Sequence, residues 1–169
     1  MEQPDQRRDG GALTLRLGVE ASGPVPVATA WERYQRLELW PRWAPQIRSV
    51  TTAPPADAPR LAPGLTGRVS GPLGAGVDFT VLDVDPAEHR WTWAVRRGPL
   101  ALHLEHGVDP ARGGRTVRRP ERISHPIDPV GSRAWLIVTG VAPVVLAYAP
   151  AAWFALRRLV SATDVENRT

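Results

Sequence analysis

Apolar and polar residues alternate over positions 12 to 20, with Leu13, Leu15, Leu17 and Val19 on one side and Thr14, Arg16 and Gly18 on the other. This is the two-residue period of a half-buried strand. After Ser22-Gly23-Pro24 the period changes: residues 26 to 37 place Val27, Ala30, Trp31, Tyr34 and Leu37 at steps of three and four, which predicts an amphipathic helix. The helix has to stop at Leu39-Trp40-Pro41-Arg42-Trp43-Ala44-Pro45. Pro41 and Pro45 lack the amide hydrogen a helix needs and push the residues before them toward extended geometry. A short helical turn is expected there, with one of its two tryptophans closing the end of the core and the other flanking it. Trp43, entering the next strand beside Ile47, is expected to be the deeper of the two.

Further along, residues 46 to 53 predict a second strand, and Pro54 to Pro63 an exposed loop. Residues 64 to 71 predict a weak third strand, 71 to 76 a turn and 77 to 85 a stronger fourth strand. Strand five spans Arg90 to Arg97, with Trp91, Trp93 and Val95 on one face. Strand six, 99 to 108, puts Leu100, Leu102, Leu104, His106 and Val108 on one face, and the Gly98-Pro99 corner makes it the neighbour of strand five. Residues 112 to 131, rich in arginine and proline, read as a basic loop insertion, although a strand at 115 to 124 competes with 133 to 140 for the last place in the sheet. A helix from Pro143 to about Thr163 closes the chain, bent or restarted at Pro150, with Val145, Tyr148, Ala152, Leu156 and Leu159 on its apolar side. About seven strands in hairpin order and one long apolar helix make an α+β class, an antiparallel sheet with the helix covering one face.

The uncharged stretch 134 to 156 is long enough to span a bilayer as a helix. Gly140, Pro143 and Pro150 interrupt it, and Trp135 to Thr139 is β-rich, so a strand handing over to a helix is the better reading. The opening MEQPDQRRDGG has no apolar centre and is not expected to act as a signal peptide. Residues 1–11 and 164–169 are expected to be tails around one domain at 12–163, and 169 residues suit a single domain.

Composition changes the picture little. The net charge of +4 comes from 21 arginines and no lysine against 17 acidic residues. The arginines are dispersed, so no nucleic-acid partner is expected. Their densest run, Arg112 to Arg122, reads as a solvated loop. The absence of cysteine excludes disulfides and thiolate chemistry and is compatible with a cytoplasmic protein.

Candidate chemistry is sparse. His103 and His106 point to opposite faces of a strand, so no metal site is expected. Ser124-His125 lies in the insertion without a nucleophile elbow, and Gly71 to Gly76 lacks the spacing of a dinucleotide loop and precedes a strand. No cofactor is expected. His106, Tyr148 and Asp78 are the weak candidates for proton transfer, and none stands out as a nucleophile. Taken as a set, Trp91, Trp93, Leu100, Leu102, Leu104 and His106 would form an aromatic and aliphatic wall if their faces meet the terminal helix, able to hold an apolar ligand with His106 as a polar handle. Taken singly, each tryptophan reads as ordinary core packing.

The order of aromatic, proline and strand positions in VATAWERYQRLELWPRWAPQIRSV, FTVLDVDPAEHRWTWAV with LALHLEHGV, and TGVAPVVLAYAPAAWFALRRLV resembles the START-like, helix-grip superfamily (SRPBCC), and within it the polyketide cyclase/dehydrase and lipid-transport family. The resemblance implies a curved sheet of about seven strands wrapped on a long C-terminal helix, two short helices after strand one, and an elongated apolar cavity between sheet and helix. Its implied ligand is a hydrophobic or aromatic small molecule, lipid or polyketide-like. The candidate ligand-binding set is then Trp40, Trp43, Phe79, Trp91, Trp93, Leu102, Leu104, His106, Tyr148, Ala152 and Leu156. A non-catalytic binding protein is the leading expectation. The alternatives are an aromatase/cyclase-like enzyme using His106 or Tyr148, and a module that contacts a membrane surface or a protein.

Overall fold

The computed structural model describes residues 13–72, 76–111 and 131–162. The expected tails at 1–11 and 164–169 and nearly all of the basic insertion at 112–131 lie outside the described residues. Seven strands form one antiparallel sheet: β1 (Thr14–Gly23), β2 (Ser49–Ala53), β3 (Thr66–Ser70), β4 (Gly76–Asp85), β5 (Arg90–Arg97), β6 (Leu100–Pro110) and β7 (Ser132–Val141). They are ordered β1-β7-β6-β5-β4-β3-β2. Between β1 and β2 run α1 (Val27–Gln35), a 3-10 turn (Leu37–Leu39) and α2 (Trp40–Trp43), and α3 (Ala142–Leu159) follows β7 directly.

The sheet builds outward through hairpins whose turns follow local chemistry. Gly98 takes φ +56, and Arg97 pairs with Leu100, so Gly98-Pro99 is a two-residue hairpin loop that needs glycine at its first position. At the β4–β5 turn the Asp85 carboxylate accepts the backbone N–H of Ala87 and Glu88 at 3.0 and 3.1 Å. A register shift between Val81 and Asp83 puts a bulge in β4, which helps to curve the sheet. The competition for the last strand goes to 132–141: β7 pairs with β6 from Leu102↔Gly140 to Pro110↔Ser132, and with β1 along its whole length. The insertion therefore leaves and re-enters the sheet at one hairpin base, where the Ala111 amide donates to the Gly131 carbonyl at 3.2 Å.

The concave face carries Leu15, Leu17 and Val19 from β1, Phe79 and Val81 from β4, Trp91, Trp93 and Val95 from β5, Leu104, His106 and Val108 from β6, and Leu136 and Val138 from β7. α3 lies on this sheet against β1 and β7, burying Val145, Ala152, Ala155, Leu156 and Leu159. That is the apolar side its helical period predicts.

Three sequence expectations need correction. α3 runs unbroken through Pro150 instead of restarting there. Pro150 is exposed, and so is Leu146, whose carbonyl loses its partner to the proline ring, so water is available to satisfy it. The second strand starts at Ser49 rather than 46, because a turn closed by Ile47 N–H to the Ala44 carbonyl, 2.9 Å, intervenes. Trp43 consequently ends α2 instead of entering β2, and Trp40, at 1% exposure, is more deeply buried than Trp43 at 5%.

The stretch 134 to 156 divides into β7 and α3, and among the described residues no helix is long and apolar enough to cross a membrane. The outward side of α3 leaves Leu146, Trp153 and Phe154 exposed, with Arg157 resting over the Trp153 ring at 4.9 Å.

Candidate functional site

The α1–α2 corner fills one end of the space between sheet and helix. Its proline-broken geometry turns Trp40 inward, where the ring meets Trp91 and Trp93 at centroid distances of 5.4 and 5.3 Å and Phe79 at 6.3 Å. Backbone carbonyls of α1 hold both indoles of the corner. Trp40 Nε1–H donates to Tyr34 O at 2.8 Å, and Trp43 Nε1–H to Arg33 O at 3.2 Å. These bonds use carbonyls near the end of α1 that no further helical turn would satisfy. The corner plugs that end of the core.

His106 sits inside this cluster, 5% exposed, stacked on Trp91 at 4.4 Å between centroids with 11° between the planes. Trp93 Nε1–H donates to His106 Nε2 at 3.0 Å. An indole N–H can only donate, so Nε2 carries the lone pair and the ring proton is on Nδ1. Nδ1–H then faces the Tyr34 hydroxyl oxygen at 3.3 Å. Protonating the ring would set two donors against each other across the Trp93 contact, and burial independently pushes the His106 pKa down to about 3. Burial, and after it the neighbouring Tyr148, hold the Tyr34 phenol well above its usual pKa.

The sign of the stability effect follows. The folded chain keeps His106 neutral down to about 3, whereas the unfolded imidazole takes a proton below its ordinary value of 6.5. The contribution is complete above 6.5 and is lost progressively as pH falls toward 3. In urea titrations, wild-type stability should fall relative to His106→Gln by about 1.4 kcal/mol per pH unit below 6.5. Parallel curves for the two proteins would show that His106 carries a proton in the fold.

Beyond the plug, at the end of the sheet where the β5–β6 hairpin turns, a cavity of about 380 Å³ remains. The inward positions Val69 of β3, Val77 of β4, Trp93 and Val95 of β5, and Leu100, Leu102 and Leu104 of β6 line it. Gln46 and Ile47 close it from the segment after α2, and Val144 and Tyr148 from the first turns of α3. Its polar groups are few: Gln46 and Tyr148 in the wall, and Arg96 and Arg97 beside the hairpin. Burial pushes the Tyr148 phenol up to about 12 against a lowering hydrogen bond from the Gln46 side chain, so Tyr148 is a neutral O–H at physiological pH. The Gln46 Oε1 atom is buried with no hydrogen-bond partner among the described residues.

Of the residues singled out from sequence, Trp93, Leu102, Leu104 and Tyr148 line this cavity. Trp40, Trp43, Phe79, Trp91, His106, Ala152 and Leu156 are packed in the core instead. Asp78 faces solvent on the opposite side of β4, paired with Arg68 at 2.8 Å. Among the described residues no group of histidine and acidic side chains could hold a metal. Sequence reasoning missed Gln46, Ile47, Val69, Val77, Val95, Arg97 and Val144. The strand positions were available as inward parity. One signal could have marked the open end: Arg97 continues the inward series Trp91, Trp93, Val95, and a charge at such a position belongs where water reaches.

A family model described as Polyketide cyclase / dehydrase and lipid transport matches residues 16–160. The chain belongs to this family. The polyketide cyclase/dehydrase and lipid-transport assignment agrees with the helix-grip layout seen here, the α+β arrangement of the START-like superfamily. Two solved structures share the fold. One, the crystal structure of Ara h 8.0201, is 17% identical with a TM-score of 0.56, covering 85% of this chain and 95% of that one. The other, a hypothetical protein jhp0584 from Helicobacter pylori at 1.88 Å resolution, is 12% identical with a TM-score of 0.62, covering 95% of this chain and 94% of that one. No curated protein matches the sequence.

Proposed function

We propose that this member of the polyketide cyclase/dehydrase and lipid-transport family binds a hydrophobic small molecule, lipid or polyketide-like, in the cavity between the β3–β6 end of the sheet and the first turns of α3. The family and fold are consistent with hydrophobic ligands. The observation that carries the reading is the cavity itself: about 380 Å³, walled by aliphatic side chains and Trp93 beside a solidly packed plug. Ligand sites usually enclose roughly 300–1,000 Å³ and combine apolar walls with a few polar groups.

Binding without catalysis is the better supported form. His106 has both ring nitrogens engaged and does not line the cavity, which favours a supporting role over proton transfer. Tyr148 reaches the cavity, but with its pKa pushed up to about 12 it serves as a hydrogen-bond donor far better than as a base. Titration of a hydrophobic fluorophore into the wild type and into Val144→Trp, which fills the cavity from α3, tests the reading.

A further inference from the structure

Along β5 the inward positions run Trp91, Trp93, Val95 and then Arg97, so the strand passes from plug to cavity wall to a guanidinium at the cavity rim. Arg96, directly opposite Asp78 in register, projects from the other face of the sheet, so the exposed side chain at the rim is that of Arg97. Arg97 makes no ion pair or side-chain hydrogen bond among the described residues. Among the described residues no aspartate or glutamate lines the cavity. The opening therefore combines an aliphatic interior with a positive charge at one end, and a polar pair, Gln46 and Tyr148, in its wall.

We propose that the ligand is an anionic amphiphile: an apolar body inside the cavity and a carboxylate or phosphate head group at the rim, held by Arg97. A guanidinium offers paired N–H donors that match either head group, and such charge-assisted bonds are shorter and stronger than neutral ones. A hydroxyl on the ligand body would satisfy Gln46 Oε1. The proposal rests on the cavity being the binding site.

Three ligands with one chain length separate the two ideas: decanol, decanoate and decyl phosphate, each titrated below its micelle concentration by displacement of a hydrophobic fluorophore. Wild type should bind at least one of the two anions about tenfold more tightly than decanol, and the stronger anion names the head group. The variant Arg97→Gln should bring that anion to the affinity of decanol while decanol itself is unchanged; the position is exposed, so the fold is retained. Decanol binding as tightly as both anions, or an Arg97→Gln variant that keeps the preference, overturns the head-group assignment and leaves the cavity reading standing. If none of the three displaces the fluorophore, or the fluorophore itself does not bind, the cavity reading fails and this inference with it.

Discussion

Trp91→Ala should lower the free energy of unfolding by roughly 3–5 kcal/mol, the cost of emptying a large buried side chain without collapse of its surroundings. The site has little means to relax. Trp91 is 1% exposed and touches Tyr34, Trp40, Trp93 and His106, each fixed by a neighbour of its own. Tyr34 and His106 face one another, Trp93 donates to His106, and Trp40 donates to Tyr34 O. An empty indole site would strip His106 of the stacking surface that keeps it aligned. Trp91→Phe should cost far less, because the Trp91 Nε1–H is buried without a hydrogen-bond partner among the described residues and its removal forfeits no bond to them. Urea unfolding of the three proteins checks both statements. A mild loss for alanine would mean that the plug is loosely packed.

Arg33→Met should cost roughly 2–4 kcal/mol, as expected when a buried charged donor that serves several acceptors is removed. Arg33 lies on α1 and is 4% exposed, an unusual place for a guanidinium. Its Nη1 donates to the carbonyls of Leu159, at 2.5 Å, and Ser161, at 2.9 Å, where α3 ends. A helix leaves its last carbonyls unpaired and carries partial negative charge there, so a buried cation supplies both donors and field. Methionine preserves most of the volume and removes the donors, which isolates the polar contribution from cavity formation. Thermal unfolding should show the loss, and hydrogen exchange should show the last turn of α3 opening first. Protection of that turn equal to wild type would refute a capping role for Arg33.

The elements of this fold were legible wherever local periodicity and burial agree. β5 and β6 alternate cleanly, the glycine at 98 marks their hairpin, and the apolar side of α3 follows from helical spacing at Val145, Ala152, Leu156 and Leu159. Boundaries failed where a long-range contact decides them. Nothing local says that Pro150 will sit on the solvent side of a continuous helix, or that a turn at Ala44–Ile47 will delay β2. The candidate site was legible as a face but not as a depth. Parity places Trp91, Trp93, Val95 and Arg97 on one side of β5, and the same rule holds whether that side is filled or open. The difference comes from the α1–α2 corner, whose two tryptophans occupy one half of the concavity and leave the other half to Leu102, Leu104, Val144 and Tyr148. Most of the bulky residues in the sequence therefore marked the packed half, whereas the cavity, apart from Trp93 and Tyr148, is framed largely by aliphatic side chains that carry no special signal. One glycine shows the same limit. The Trp135 indole lies over Gly107, where an added Cβ would come within 2.3 Å of the ring, a contact between strands that neither position announces alone.

The central claim is that ligand enters the aliphatic cavity and not the aromatic cluster, and one comparison of affinities tests it most directly. A hydrophobic fluorophore is titrated into wild type, Val144→Trp and Trp91→Phe under conditions where all three are folded. Filling the cavity should weaken binding by about tenfold or more, since the added indole takes the space that apolar ligand surface would bury. Trp91→Phe, remodelling the plug, should leave the affinity within about twofold, as it changes no cavity-lining group. Unchanged binding in Val144→Trp, or its loss in Trp91→Phe alone, would contradict the account and move the ligand into the plug.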